Sequence, residues 1–547
     1  MDREAVEVPR SPARLYPFLL AVVPVLHLVA SNPGWSKLDD LAVVLAVVLA
    51  GCGVIYGLAA LLARGRWAGR LPPLAVLAGA LWFWGYVQVV DLVGHRGDVT
   101  LHLLLLPLGL AATLGLGWWL LHRPARLDRL TSFLTLAGVL LVGWSALSIG
   151  RTEVGSALAL RRSAVVRRLA QPIRVRPGIP AGLRRDIYLI VLDEYANAEV
   201  TRGRYGFDNH VFLDSLRQLG FVVPTVHSNY LHTLLSLPSL LNASQLVDLG
   251  RELRGRTSNP RLPNYLLEHN RVAGFLRSEG YTFAFFPSLW WTATRHNRTA
   301  DREFDGSTGF DPVRELSRTE LRRDLRIASM LDLLHRESRW QAADADQIVH
   351  TFAAVARVPG MPGPVFAFAH VLSPHQPFTF ESDCRRITAK PPAGSRKAGV
   401  RYVAQIECLD RMVLKLVGSL LHDSDVPPII LLQGDHGAAS PAFDTAATAE
   451  DIPLAAAHDR FGAFGAYYLP DHGSEAFGDS VTVVNVLGNV LRQYFGADLP
   501  REPDDLYLSS YSAPYAFRRA SLTWLAQADS LESRPLGSTG AATAAPH

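Results

Sequence analysis

The apolar positions of this chain fall into two regimes. Up to residue 150 they form five long runs, at about 13–31, 39–63, 71–93, 99–122 and 130–149, separated by short polar stretches. Each run approaches the ~20 residues that a helix needs to cross a bilayer core. From about residue 181 the pattern changes to blocks of four to six apolar residues, separated by helix-period stretches such as Tyr402 to Leu421. Short continuous apolar blocks suit strands buried on both faces of a parallel sheet. The pattern predicts a five-helix transmembrane bundle over 1–150, then an α/β domain with a mostly parallel central sheet over 181–525.

Between the two lies a basic arm, 151–180, carrying Arg151, Arg161, Arg162, Arg167, Arg168, Arg174 and Arg176. Val154, Leu158, Val165, Val166 and Leu169 interleave with these at roughly helical spacing. That suits an amphipathic helix lying on anionic headgroups, a solvated connector being the alternative. Pro172, Pro177 and Pro180 close the arm. The tail over 526–547, rich in Ala, Ser and Gly, is expected to be disordered.

Charge gives the bundle a direction. Residues 1–180 hold 18 Arg and Lys against 9 Asp and Glu, whereas the remainder holds 36 against 41. Arg3, Arg10 and Arg14 precede the first run; Arg64, Arg66 and Arg70 follow the second; Arg123, Arg126 and Arg129 follow the fourth. The alternate loops carry only Lys37 and Arg96. Positive loops stay in the cytoplasm, so the N-terminus is expected inside and the α/β domain outside a cell (inner, cytoplasmic) membrane. The first run lacks a small-residue cleavage site and reads as an anchor. Arginines used in this way imply no nucleic-acid partner. His27, Asp91, His95 and His102 map to the outer ends of the spans, either as a headgroup site or as ordinary interfacial residues. Three cysteines exclude a disulfide framework or a cysteine metal cluster; Cys384 and Cys408 lie on the exported side, and the sequence leaves their pairing open.

The chemistry-bearing residues stand at the ends of the apolar blocks. Ile187 to Leu192 runs into Asp193-Glu194; Val365 to Ala369 runs into His370 and then Ser373-Pro374-His375; Ile429 to Leu432 runs into Gln433-Gly434-Asp435-His436-Gly437. In open α/β sheets ligands gather at the carboxyl ends of strands. Any one of these residues alone would suit a turn, but three strands delivering Asp, His and Asp-His point to a metal site. A fourth stretch, Asn229 to Ser239, reads as a loop entering a helix at Thr233. A hydroxyl there faces free backbone N–H groups and the positive helix end, which favour a phosphate or sulfate oxygen; a plain N-cap is the alternative role for Thr233.

In this order, Asp193, Thr233-x-x-Ser236-x-Pro238, Ser373-Pro374-His375-x-Pro377-Phe378 and Gly434-Asp435-His436-Gly437 resemble the alkaline phosphatase superfamily. The likeness is strongest to its membrane-anchored, sulfatase-like branch, which includes lipoteichoic acid synthases and lipid A phosphoethanolamine transferases. The resemblance implies an alkaline phosphatase/sulfatase-like fold. It implies Asp193, Thr233, Asp435 and His436 as ligands of one divalent metal ion, and Thr233 as the nucleophile. It implies His375 as a substrate-contacting histidine that either holds a non-bridging oxygen or serves as proton donor. His458, with Arg460 beside it, stands in for a further substrate histidine at a spacing that departs from the transferases, and Asn229 and Ser236 join the substrate-binding set. Glu194 adjoins the first ligand, and His370 reads as structural.

Oxygen ligands and one imidazole suit Zn²⁺ or Mn²⁺, with Mg²⁺ a poorer match. The expected activity is transfer of a phospho-headgroup from a membrane phospholipid donor to a lipid or glycan acceptor through a phospho-threonine. Water as acceptor would make the protein a phosphodiesterase or phosphatase. Ser236-Leu237-Pro238-Ser239-Leu240 partly matches the sulfatase signature, but Leu240 stands where that signature has Arg. A scaffold without turnover is the remaining alternative. The oligomeric state is not readable from the chain.

Overall fold

The computed structural model describes residues 15–94, 96, 98–176, 184–253, 258–288, 292–305, 319–334, 338–387, 395–471 and 473–527. His95 and most of the tail expected to be disordered lie outside the described residues. The chain divides into two compact units, Met1–Leu158 with Phe310–Arg336, and Ala159–Gly309 with Glu337–His547.

In the first unit the apolar runs become helices α1 (Tyr16–Ser31), α2 (Leu38–Leu62), α3 (Leu71–Val93), α4 (Val99–Leu121) and α5 (Pro124–Arg162). Four of them, α2 to α5, are long and apolar enough to cross a membrane, while α1 has only 16 residues. At 1.5 Å per residue α1 spans about 24 Å, short of the ~30 Å hydrocarbon core. Among the described residues, the five-span expectation thus stands as four candidate spans and one shorter apolar helix. Leu103, Leu104, Leu108 and Leu114 of α4 are exposed, as a lipid-facing surface requires.

The expected break at residue 150 is absent, since α5 continues for 39 residues through Arg151 and on to Arg162. Nothing from Gly150 to Arg162 is a proline, and a glycine alone does not stop a helix.

The polar residues at these helix ends hold one another. His102 bridges Tyr86 Oη (2.9 Å) and the Arg96 carbonyl (2.8 Å), and Arg96 pairs with Asp91 (2.5 Å). Arg96 also reaches Asp332 (2.7 Å), which pairs with Arg326. The helix Glu320–Ile327 is therefore part of the membrane unit, although the chain up to Gly309 and from Glu337 belongs to the other unit. Its Leu321 and Leu325 are buried with Val25, Leu41 and Ile149, and its Arg322 pairs with Asp40 at 2.7 Å.

The second unit begins with the remainder of the basic arm. Ser163 caps α6 (Ala164–Leu169), and Glu252 accepts from the N–H groups of Ala164 and Val165, an acid at the positive end of a helix. Val165 and Leu169 pack on Tyr230, Leu235, Leu249 and Leu266. This part of the arm buries its apolar side in protein, unlike the expected headgroup-facing helix; Val154 and Leu158 of α5 are exposed.

The core of the unit is a six-stranded sheet. Its strands are β1 (Ile187–Leu192), β2 (Thr282–Phe286), β3 (Arg302–Glu303), β4 (Val365–Val371), β5 (Ile429–Gln433) and β6 (Gly465–Tyr468), in spatial order β3-β2-β4-β1-β5-β6. All neighbours run parallel except β5 and β6. Every residue of β1, β4 and β5 is buried, which is why these blocks read as continuous apolar runs without alternation. Because β1 lies between β4 and β5, the three strand ends marked by the sequence are neighbours in space. Helices α7 (Thr233–Asn242), α8 (Ser395–Asp423) and α9 (Leu454–Phe461) supply further residues to that edge. Cys384 and Cys408 form a disulfide that ties the segment after His375 to α8.

Candidate metal centre

Beyond the last residue of β1, the Asp193 N–H still bonds the Val371 carbonyl of β4 at 3.0 Å. Glu194 then turns with φ 64°, a left-handed conformation costing a non-glycine residue about 1–3 kcal/mol. The turn is held from α8 by Tyr402, whose hydroxyl donates to the Glu194 carbonyl at 2.7 Å. After β5, the Gly434 N–H donates to the Phe464 carbonyl and the Gly437 N–H to the Arg460 carbonyl, both at 2.8 Å. A Cβ on Gly437 would lie 2.0 Å from the Asp459 carbonyl oxygen, so only glycine permits this approach. Thr233 is the first residue of α7, after an extended His232.

These segments converge. Ligand atoms of Asp193, Asp435 and His436 all lie within 4.8 Å of one another, and all three residues are buried. His436 Nε2 is 3.4 Å from Asp435 Oδ2, 3.8 Å from Asp193 Oδ1 and 3.1 Å from Thr233 Oγ1. Its Nδ1 lies 3.0 Å from the Gly437 carbonyl; a hydrogen bond there puts the ring proton on Nδ1 and turns the Nε2 lone pair inward. Both carboxylate oxygens of Asp193 and Oδ2 of Asp435 are buried without a hydrogen-bond partner.

Burial, reinforced by Glu194, pushes the Asp193 carboxyl well above the usual range; burial and Asp193 do the same to Asp435. Burial and the Arg460 charge hold His436 neutral. Unpaired buried carboxylate oxygens cost about 1–3 kcal/mol each or more. Two carboxylates, an imidazole lone pair and a hydroxyl facing one point form a donor set that a divalent cation satisfies and water alone does not. The residues therefore fit a divalent metal ion.

A ring of further groups encloses the cluster. Arg460 of α9 is fully buried; its Nε donates to the Leu231 carbonyl (2.8 Å) and its Nη1 pairs with Glu194 (2.5 Å). Its Nη2 lies 3.4 Å from His436 Nε2 and 3.2 Å from Tyr511 Oη, and the guanidinium stands 4.8 Å from the Phe443 ring centroid. Burial opposes the Arg460 charge, but Tyr511 and Glu194 outweigh it. Tyr511 turns its hydroxyl inward and leaves its ring half exposed, 49%. His375 lies in the loop after β4, with Nε2 3.9 Å from Glu194 Oε1 and its N–H bonded to the Asp193 carbonyl at 3.0 Å. His232 and His370 are both buried; burial lowers each to about 3, helped by Arg460 and His375 respectively.

The structure thus brings Asp193, Thr233, Asp435, His436 and Arg460 together, with His375 adjacent through Glu194. Asn229 and Ser236 turn their side chains to backbone groups. Asn229 donates to the Asp505 carbonyl and accepts from the Val484 N–H, both at 2.9 Å, and Ser236 with Ser228 donates to the Asp435 carbonyl. His458 has its Nε2 3.7 Å from Glu199 Oε1. Tyr511, Phe443, Tyr402 and His232 also belong to the site, beyond the residues that the sequence motifs mark. Of these, only His232 had a signal, its place before Thr233; the others reach the site from distant segments with no local motif.

Residues 185–480 match the family model described as Sulfatase. No curated protein sequence matches the chain. Among solved structures the chain is similar to the C-terminal periplasmic domain of EcEptC from Escherichia coli, with 12% identity, 66% of this chain and 99% of that one covered, and a TM-score of 0.43. It is also similar to the lipooligosaccharide phosphoethanolamine transferase A (EptA) from Neisseria meningitidis, with 13% identity, 89% and 94% covered, and a TM-score of 0.35. A putative sulfatase, yidJ, from Bacteroides fragilis gives 11% identity, 63% and 85% covered, and a TM-score of 0.37.

Proposed function

Because the chain belongs to the sulfatase family, we propose that it is a membrane-anchored, metal-dependent phosphotransferase. It moves a phospho-headgroup from a lipid donor to an extracytoplasmic acceptor by way of Thr233. The observation that carries this reading is the buried cluster of unsatisfied Asp193 and Asp435 oxygens with the Thr233 hydroxyl beside His436. Asp193, Thr233, Asp435 and His436 would hold one divalent ion. When bound, that ion makes the threonine hydroxyl acidic enough to act as a nucleophile near neutral pH and neutralises charge on the phosphoryl oxygens.

Thr233 Oγ1, its proton released to solvent, forms a bond to phosphorus as the bond to the lipid alcohol breaks, and the proton carried by His375 passes to the departing oxygen. An acceptor hydroxyl then attacks the phospho-threonine, His375 takes that hydroxyl's proton, and Thr233 Oγ1 is released. Arg460, fixed by Glu194 and the Leu231 carbonyl, faces the non-bridging oxygens and is prepaid in orientation by those contacts. Tyr511, a half-exposed residue whose hydroxyl accepts from Arg460, would flank an entering headgroup.

Several observations favour phosphoryl over sulfuryl transfer. Leu240 replaces the arginine of the sulfatase signature, no cysteine lies in that stretch, and a threonine occupies the nucleophile position. In this reading α1 is a fifth span, the N-terminus is cytoplasmic, and the catalytic unit works outside the membrane. The test uses the full-length protein with vesicles of headgroup-labelled phosphatidylethanolamine or phosphatidylglycerol. Chelator-sensitive release of diacylglycerol supports the reading, with label on an added acceptor marking a transferase and label in water a hydrolase. Release of sulfate from aryl sulfates with no lipid turnover contradicts it.

A further inference from the structure

His370 is the penultimate residue of β4, facing Val191 across the ladder. Its Nε2 lies 3.5 Å from Asp193 Oδ2, and neither atom has a hydrogen-bond partner. On the other edge of the ring, Nδ1 is 2.8 Å from Ser288 Oγ, which is 2.9 Å from Thr294 Oγ1. His370, Ser288 and Thr294 are all buried. A neutral imidazole carries one N–H, and a serine hydroxyl rotates, so Ser288 can give its hydrogen to Thr294 or to Nδ1. When it donates to Nδ1, the ring hydrogen resides on Nε2, the nitrogen 3.5 Å from Asp193 Oδ2. Oδ1, 3.8 Å from His436 Nε2, is then the oxygen turned into the cluster.

We propose that His370 is a positioning residue. With Ser288 setting its tautomer, it holds Asp193 by a hydrogen bond to Oδ2, so that Oδ1 is presented to the divalent ion. This rests on the reading of Asp193 as a metal ligand given under Proposed function. Partners of this kind, one bond removed from the metal, change affinity by about 10–100-fold.

The test is the zinc affinity of the full-length protein in detergent, stripped of metal and titrated in competition with a chromophoric chelator. His370→Leu is expected to weaken zinc binding about 10–100-fold. His370→Gln, whose amide nitrogen takes the place of Nε2–H, recovers most of that loss, and Ser288→Ala weakens binding by a smaller factor. Recovery by glutamine separates positioning from packing, which leucine serves as well. Equal affinity in wild type, His370→Leu and Ser288→Ala overturns the proposal, as does a loss that glutamine does not repair. If His370→Leu does not fold, His370→Gln and Ser288→Ala decide the matter: binding weakened by Ser288→Ala and kept by His370→Gln supports it, and any other result overturns it. A wild-type protein that takes up no zinc or manganese instead overturns the metal-centre reading itself.

Discussion

Replacing Asp435 by asparagine should change stability in opposite directions with and without metal. The two aspartates of the centre are fully buried, with ligand atoms no more than 4.8 Å apart. Two unit charges at that separation repel by about 3.5 kcal/mol at an effective dielectric constant of ~20. The metal-free protein relieves part of this by keeping a proton on the pair, as the raised carboxyls of Asp193 and Asp435 indicate. An isosteric neutral side chain therefore stabilises the metal-free state by about 3 kcal/mol at most. With zinc at ~10⁵ times its dissociation constant, the wild type gains about 7 kcal/mol. Asp435→Asn lacks a charged ligand and should lose most of that gain. The assay is thermal unfolding of both proteins in detergent, once with EDTA and once with zinc. The variant should melt above wild type in EDTA and below it in zinc. A variant that melts below wild type by the same interval in both buffers refutes the argument that these carboxylates exist for a cation.

Other consequences lie away from the centre. Asp410 accepts from the Tyr195 hydroxyl at 2.5 Å, and burial lifts its carboxyl to about 8. A raised native-state value means that the folded protein binds the extra proton. The contribution is fully present below the unfolded value of ~3.9 and is lost as pH rises toward 8. Asp410→Asn should flatten the stability–pH curve over that window, and curves of unchanged slope contradict the assignment. Reducing the Cys384–Cys408 bond, which closes a 24-residue separation, should cost about 3 kcal/mol, read as a reductant-dependent fall in melting temperature that Cys384→Ser does not show. Asp40→Ala removes the partner of Arg322 and Thr319. It should raise hydrogen exchange over 319–334, with a destabilisation of about 1–3 kcal/mol, and the charge-swapped pair Asp40→Arg with Arg322→Asp should restore protection.

What the sequence made legible follows from how local each signal is. A strand buried on both faces is a continuous apolar run, so β1, β4 and β5 were readable, and so were the residues at their ends. Thr233 at the start of α7 was readable because a loop entering a helix has a short-range signature. The continuity of α5 past residue 150 was not, since a run of charges ends a membrane span without ending a helix. Nor was the membership of Glu320–Ile327 in the membrane unit, because Leu321, Leu325 and Arg322 find partners nearly three hundred positions earlier, and only the fold joins them. Val165 and Leu169 had the spacing of a lipid-facing stripe, yet an apolar stripe does not reveal which apolar surface covers it. Arg460 was noticed only as the neighbour of His458, but it is Arg460 that meets Glu194, His436 and Tyr511. Which side of α9 faces the centre depends on Gly437 approaching Asp459, a contact between segments.

In the proposed reaction Thr233 carries the phosphoryl group between donor and acceptor. Intact-protein and peptide mass spectrometry of the full-length protein, metal-loaded and quenched after mixing with lipid vesicles in the absence of acceptor, tests it directly. The account predicts a phospho-headgroup adduct on Thr233 that disappears when acceptor is added and never forms in Thr233→Ala. Undiminished lipid turnover by Thr233→Ala, or a stable adduct on another residue, contradicts it.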